Sequence, residues 1–239
     1  MLLVVGGIKG GSGKTTLATN LCQMRAAAGK KVLLVDADDQ KSSYDWYHER
    51  EVSRQREILN VESNFSCICL SGTLIYKTLE KMRPDYDDII VDTGGRDTVS
   101  QRSSLCAADV FLIPFKPRSL DIWTMGAVRS LIRDCSITNP KLQSIVVITQ
   151  ADSIGKDNVD ALEIMKEFEE VRCLEHFIGY RKAFGNAAAN GLGVSEVTPR
   201  DPKALLEMQQ LYSEIYQNDM SETVYAYADA FGKLSNTQG

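Results

Sequence analysis

Residues 9–16, Lys9-Gly10-Gly11-Ser12-Gly13-Lys14-Thr15-Thr16, stand between an apolar segment, Leu2–Val5, and a helix-like stretch, Leu17–Ala28. Glycines at positions 10, 11 and 13 let a loop wrap closely around phosphates, because no Cβ blocks the approach or forbids positive φ. From such a loop a lysine at position 14 reaches the β- and γ-phosphates, and a threonine hydroxyl at position 15 is a ligand for Mg²⁺. The Gly-Lys-Thr ends where the helix begins, so helix N–H groups and the helix dipole also face the anion. The segment reads as a nucleotide phosphate loop, with Gly10, Gly11, Ser12, Gly13, Lys14, Thr15 and Thr16 as its binding residues. The pattern G-x-x-x-x-G-K-[ST] requires glycine at position 8, where this chain has Ile8. What fits is K-G-G-x-G-K-T, with an additional lysine, Lys9, at the head of the loop. The competing reading is a glycine-rich turn with incidental lysines, which the strand–loop–helix setting disfavours.

The rest of the composition sets bounds. A chain of 239 residues is long enough for one substantial α/β domain and short for two. Hydrophobic content of 44% and charged content of 25% are ordinary for a soluble globular protein. A net charge of −5 argues against a general nucleic-acid-coating protein and leaves room for a local basic face. No apolar run approaches the roughly 18 residues of a membrane span. An N-terminal strand leading straight into the loop is unlike a signal peptide. The cysteines (Cys22, Cys67, Cys69, Cys106, Cys135, Cys173) are scattered without a C-x-x-C, which fits reduced thiols in a cytosolic protein better than a metal site.

Strand-like and helix-like segments alternate along the chain. After Leu2–Val5, apolar β-branched runs occur at Val32–Val35, Ser66–Leu70, Ile89–Val91, Val110–Pro114, Ile145–Thr149 and, more weakly, Cys173–Ile178. Helical patterns fill the intervals at Thr15–Ala28, Ser43–Ile58, Gly72–Met82, Ser103–Ala108, Leu120–Cys135 and Asp157–Val171, and two more follow at Pro202–Tyr216 and Ser221–Phe231. Continuous apolar strands imply burial on both faces, and intervening helices imply parallel crossovers. The expectation is a doubly wound, mostly parallel α/β sheet with helices on both faces and its ligand site at the carboxyl edge of the strands. With no repeat or linker, residues 1–239 read as a single domain, with 232–239 a polar, frayed tail.

Strands end in acids at that edge. Val32–Val35 runs into Asp36-Ala37-Asp38-Asp39-Gln40, and alternate carboxylates there suit Mg²⁺–water coordination and positioning of an attacking water. Ile89–Val91 runs into Asp92-Thr93-Gly94-Gly95, where Asp92 is placed to hold Mg²⁺ through water and Gly94-Gly95 to offer backbone N–H groups to a γ-phosphate. Strand-terminal aspartates also cap loops, but two such strands beside a phosphate loop favour the functional reading.

These motifs resemble the ParA/MinD family of deviant Walker A ATPases, most of all the short ParA-type partition ATPases without an N-terminal DNA-binding domain. Asp36-Ala37-Asp38-Asp39-Gln40 is similar to the family's D-x-D-P-Q, with Asp39 where proline is usual. Asp92-Thr93-Gly94-Gly95 resembles its switch II, and Asp109–Pro114 with Pro117-Arg118-Ser119-Leu120-Asp121 its next strand and loop. Arg181, Phe184, Ala188, Gly191, Val194 and Glu196 resemble its C-terminal pattern. The resemblance implies a P-loop NTPase fold and an ATPase, slow alone, that uses ATP and Mg²⁺. It makes Lys9 the signature lysine that crosses an ATP-sandwich homodimer to the partner's nucleotide, and makes Asp38 the residue that orients the hydrolytic water. Thr15 and Asp92 then manage Mg²⁺ with Asp36 in support. A lysine supplied in trans makes charge neutralisation conditional on dimerisation.

Thr149-Gln150-Ala151-Asp152, after the strand Ile145–Thr149, sits where a base-specificity loop is expected, making Gln150 a candidate contact, and the segment Pro199–Pro202 is placed to cover the ring through Pro199. Arg181, Lys182, Arg200 and Lys203 fall where ParA-type dimers present a basic surface to nonspecific DNA; a solvated mixed-charge surface is the plain alternative. The resemblance implies partition of plasmid or chromosomal DNA, with hydrolysis stimulated by a separate centromere- or cargo-binding protein and with a cytoplasmic, nucleoid-associated location. A ParA-like ATPase that positions a protein cargo uses the same cycle. A MinD-like membrane role requires a basic amphipathic C-terminal helix, and the acid-bearing Ser221–Phe231 segment does not provide one. A ligase or a metal-cluster carrier on the same fold requires a further pocket or paired cysteines. His48 and His176, the only histidines, read as surface or packing residues.

Overall fold

The computed structural model describes residues 1–55, 65–117 and 124–216. Seven strands form one sheet: β1 (Leu2–Val5), β2 (Val32–Ala37), β3 (Phe65–Cys69), β4 (Asp88–Thr93), β5 (Val110–Phe115), β6 (Gln143–Ala151) and β7 (Arg172–Gly179). Their order is β3-β2-β4-β1-β5-β6-β7, and every pairing is parallel. The expected α/β architecture is observed, wholly parallel in this sheet.

Period-two alternation in each strand feeds two separate cores. Leu3 and Val5 of β1, Leu34 of β2, Ile90 of β4 and Leu112 of β5 pack on one face, against α1 (Lys14–Ala27), α2 (Ser42–Gln55) and α8 (Pro202–Ile215). Leu2, Val4, Leu33, Val35, Ile89, Val91 and Phe111 pack on the other, against α3 (Ile75–Met82), α4 (Val99–Leu105) and α5 (Met125–Thr138). Each fully buried aliphatic side chain contributes about 1.5–3 kcal/mol of transfer free energy. The two cores explain why the central strands β1 and β5 are apolar throughout, and why β2 is apolar up to Asp36 and β4 between Asp88 and Asp92. α6 (Asp157–Lys166) covers β6 and β7, and α7 (Lys182–Ala188) follows β7.

Some boundaries differ from expectation. α4 starts at Val99 rather than Ser103, because the Thr98 side chain accepts from the Gln101 amide (3.1 Å) and caps the helix. β6 runs through Ala151, so Thr149-Gln150-Ala151 is strand, not the loop after it. α3 begins at Ile75, later than the expected Gly72, and α6 stops at Lys166 short of Val171. α8 opens as its sequence predicts, with Pro202 in the first turn and the Asp201 carboxylate accepting from Lys203 N and Ala204 N. The expected helix Ser221–Phe231, the tail 232–239, residues 118–121 and the end of the Ser43–Ile58 helix lie outside the described residues.

Candidate active site

β1 lies at the centre of the sheet between β4 and β5, and the 9–16 segment leaves its carboxyl end. α1 begins at Lys14. Its N-cap is Gly13, in the left-handed region at φ 93°, with no side chain to close the first turn and no acid within it. An L-residue with a Cβ is strained in that conformation. The free N–H groups and positive end of α1 therefore face the loop's cavity, a ready anion site. Lys14, 6% exposed, donates from Nζ to the Lys9 carbonyl (2.9 Å). Burial lowers its pKa, opposed by the charges of Asp92 and Asp38. Phosphate oxygens would add counter-charge to what Asp92 and Asp38 give this buried ammonium.

The loop is braced from β6. Thr149 Oγ1 donates to the Ser12 carbonyl (2.7 Å) and Gln150 Nε2 to the Gly11 carbonyl (2.6 Å). Gln150 does so from a left-handed backbone, φ 51°.

Asp92 sits at the end of β4, 1% exposed. Its Oδ2 accepts from Thr15 Oγ1 and from Ser43 Oγ, each at 2.7 Å. Its Oδ1 is buried with no hydrogen-bond partner among the described residues. Burial raises the Asp92 pKa to about 7, against the two hydroxyl donors that lower it. An orphaned carboxylate oxygen beside a threonine hydroxyl fits Mg²⁺, which keeps several waters and takes one or two carboxylates along with phosphates. A nearby divalent charge would restore the anionic form. No cluster of three His, Cys, Asp or Glu side chains able to hold a metal exists among the described residues. Among the described residues protein groups alone make no cage, and a cation held here would share its ligands with phosphate and water.

Asp36 has a different environment. Its Oδ1 accepts from Asp38 N (3.0 Å) and its Oδ2 from Tyr44 N (2.9 Å), so it shapes the turn between β2 and α2. Asp38 Oδ1 accepts from Gln40 N (3.2 Å) and the Asp38 carbonyl from Lys41 N (3.1 Å). Aspartate-to-backbone bonds hold the turn that carries Asp39. Asp38 projects beside the Gly94 backbone, where an added Cβ would lie 3.1 Å from Asp38 Oδ1.

These groups converge on an open cleft of about 740 Å³ lined by the phosphate loop, Thr15, Thr16, Asp38, Gly94, Gly95, Arg96 and Gln150, among others. A smaller cleft of about 240 Å³ adjoins it, shares Gly13, Thr16 and Gln150, and extends to Gly179–Lys182 and Phe184. Gln150 lies at the junction of the two. Pro199 is exposed and lines neither. Lys9 is exposed at the head of the loop. Of the four basic residues, Arg181 grips Glu207 from α8 through Nε and Nη2, while Lys182, Arg200 and Lys203 are exposed.

Two site residues escaped sequence reasoning. Ser43, wholly buried, ties α2 to Asp92, and Gln101 Oε1 accepts from Gly7 N (2.9 Å) and Thr93 Oγ1 (2.8 Å). Ser43 carried only the signal of a helix start. Gln101 carried none, being placed by the early start of α4.

A family model described as "CobQ/CobB/MinD/ParA nucleotide binding domain" matches residues 3–194. The maintenance of carboxysome distribution protein A of Halothiobacillus neapolitanus is 28% identical over 216 residues, 89% of this chain and 95% of that protein. The structure of apo McdA from Cyanothece superposes with a TM-score of 0.73 at 20% identity, covering 90% of this chain and 98% of that one. A plasmid partition protein from Borrelia burgdorferi bound to AMPPNP gives 0.70 at 20% identity, covering 92% and 99%.

Proposed function

Since the chain belongs to the CobQ/CobB/MinD/ParA nucleotide-binding family, we propose that it is a ParA-type ATPase, an ATP-timed switch between monomer and dimer that partitions DNA. One observation carries this reading: Lys14, Thr15, Asp38 and the Gly94-Gly95 backbone all line one cleft, with Asp92 bonded to Thr15 beneath it. Lys14 and the α1 N–H groups neutralise and hold the phosphates. Thr15 and Asp92, with Asp36 fixing the adjoining turn, hold Mg²⁺, which supplies charge stabilisation on the transferring phosphoryl group. Asp38, braced by its own turn and facing Gly94, orients the attacking water. Lys9, exposed at the loop head, serves the nucleotide of a second copy, so that hydrolysis requires the dimer. Gln150, between the two clefts, contacts the nucleoside.

The ATP-bound homodimer binds nonspecific DNA through Lys182, Lys203, Arg200 and Arg181. A separate centromere- or cargo-binding protein stimulates hydrolysis and releases it. A second reading, the positioning of a protein cargo by the same cycle, is favoured by the similarity over nearly full length to a carboxysome-distribution protein.

The test is DNA binding by wild type, Lys14→Ala, Lys9→Ala and Asp38→Ala, with and without ATP. Asp38→Ala is expected to remain a DNA-bound dimer in ATP, and Lys14→Ala to lose ATP-dependent binding. DNA binding indifferent to nucleotide in all four proteins would sink the switch.

A further inference from the structure

The loop that follows β4 carries an arginine, Arg96, whose charge nothing in the described residues balances. Nine other arginines each hold a carboxylate: Arg25, Arg50, Arg54, Arg83, Arg102, Arg129, Arg133, Arg172 and Arg181. Arg96 makes no hydrogen bond or ion pair among the described residues, yet it lines the same cleft as Lys14, Thr15 and Asp38. Its nearest acidic neighbour in sequence, Asp97, is committed to Arg102 through two bonds of 2.7 Å.

The backbone that carries Arg96 is fixed on both sides. Before it, Gly95 lies directly against the phosphate loop, where an added Cβ would sit 2.5 Å from Gly10 Cα. After it, Thr98 caps α4, and Gln101 of that helix bonds Gly7 at the foot of the loop. A long cationic side chain on an anchored stem, aimed at an anion cleft and unpaired, is arranged for a ligand that brings the negative charge. A guanidinium offers planar, bidentate recognition of phosphate oxygens that a lysine does not.

We infer that Arg96 binds the terminal phosphate of the nucleotide held in its own subunit and so makes the site discriminate a nucleoside triphosphate from a diphosphate. This rests on the nucleotide-binding reading above. Lys14 at the loop reaches the β-phosphate, which both nucleotides have, as well as the γ-phosphate. Arg96, which follows Gly94-Gly95 and lines the same cleft as Asp38, meets the group that only the triphosphate has. During phosphoryl transfer the same contact stabilises the charge on that group.

The experiment measures affinity for AMPPNP and for ADP, each with Mg²⁺, in wild type, Arg96→Ala, Arg96→Lys and Lys14→Ala. Arg96 is exposed, and unchanged thermal unfolding confirms that its variants fold. Arg96→Ala is expected to weaken AMPPNP by about 10- to 100-fold, the value of a charged hydrogen bond, with ADP changed less than about twofold and Arg96→Lys in between. Lys14→Ala should weaken both nucleotides. Equal losses for AMPPNP and ADP in Arg96→Ala, or none, overturn the inference while leaving nucleotide binding intact. A loss confined to protein concentrations that assemble the dimer overturns the assignment to the same subunit. A wild type that binds neither nucleotide overturns the nucleotide-binding reading itself.

Discussion

Gly95 shows how tightly single positions constrain this cleft. A methyl group there would lie 2.5 Å from Gly10 Cα and 2.6 Å from Gly10 N, and both atoms belong to backbone that cannot rotate away as a side chain does. Gly95→Ala must therefore part the Gly94–Arg96 segment from the phosphate loop, displacing Arg96 and the Gly94 N–H together. The expected outcome is a chain that folds, with an overpacking penalty of about 1–3 kcal/mol, but binds AMPPNP at least tenfold more weakly. Thermal unfolding and nucleotide titration on the same sample separate the two effects. Unaltered affinity would mean that the two loops need not touch for the site to work. Asp92 makes the complementary point about chemistry. It is legible as a strand-terminal acid, yet one of its two hydroxyl donors is Ser43, a residue that sequence alone reads as an ordinary helix start. Tertiary hydrogen bonds of that kind leave no periodicity behind.

At the scale of elements, α2 connects the Asp36–Asp38 turn to the C-terminal part of the chain. Its first turn carries Ser43, bonded to Asp92. Near its other end Arg50 is forked onto Glu196 at 2.8 and 2.7 Å, with side chains 2% and 4% exposed. Arg50 also donates to the Gly191 carbonyl, and Gly191, at φ 66°, comes so close that a Cβ would meet Arg50 N at 2.2 Å. Gly191, Val194 and Glu196 were grouped from the sequence as one family-like pattern. Here they form one dock for α1 and α2, with Val194 N donating to Asn20 Oδ1 and Gly193 N to Glu196 Oε2. Breaking a buried pair leaves an uncompensated charge, so Glu196→Ala is expected to cost about 3–5 kcal/mol, a fall in Tm of the order of 10 °C at this chain length. The double variant Arg50→Met with Glu196→Leu should recover much of that loss, because it buries no charge. A Tm unchanged in Glu196→Ala would show that α2 is held by its apolar face alone. The strands were legible because two-sided burial makes them continuous apolar runs, and the phosphate loop because glycine and lysine are dictated by the anion. Helix starts were less so, since a cap such as Thr98 or a positive-φ residue such as Lys41 (φ 53°) acts through local geometry that weak helix propensity does not announce.

On the scale of the whole molecule, the proposed binding to DNA has to be reconciled with a net charge of −5. The chain-wide charge repels DNA, so attachment depends on local cations and on how many of them one particle presents. The proposed dimer would double every phosphate contact, which would let assembly by ATP act as the switch. The structure also ranks the candidate cations. Lys182 and Lys203 are exposed, whereas the Arg181 guanidinium is spent on Glu207. Each phosphate neutralised on duplex DNA contributes roughly 0.9 to the slope of log K against log salt. Removing one contacting lysine from both subunits should therefore flatten the slope of the AMPPNP-loaded protein by about 1.8. That change is expected for Lys182→Ala and for Lys203→Ala on duplexes of unrelated sequence alike, since phosphate contacts carry no sequence information. Arg181→Ala should flatten it less while lowering thermal stability, because its partner is a carboxylate of α8. Slopes equal to wild type in both lysine variants would move the DNA-binding face elsewhere on the dimer, and a slope that ignores AMPPNP would separate DNA binding from assembly altogether.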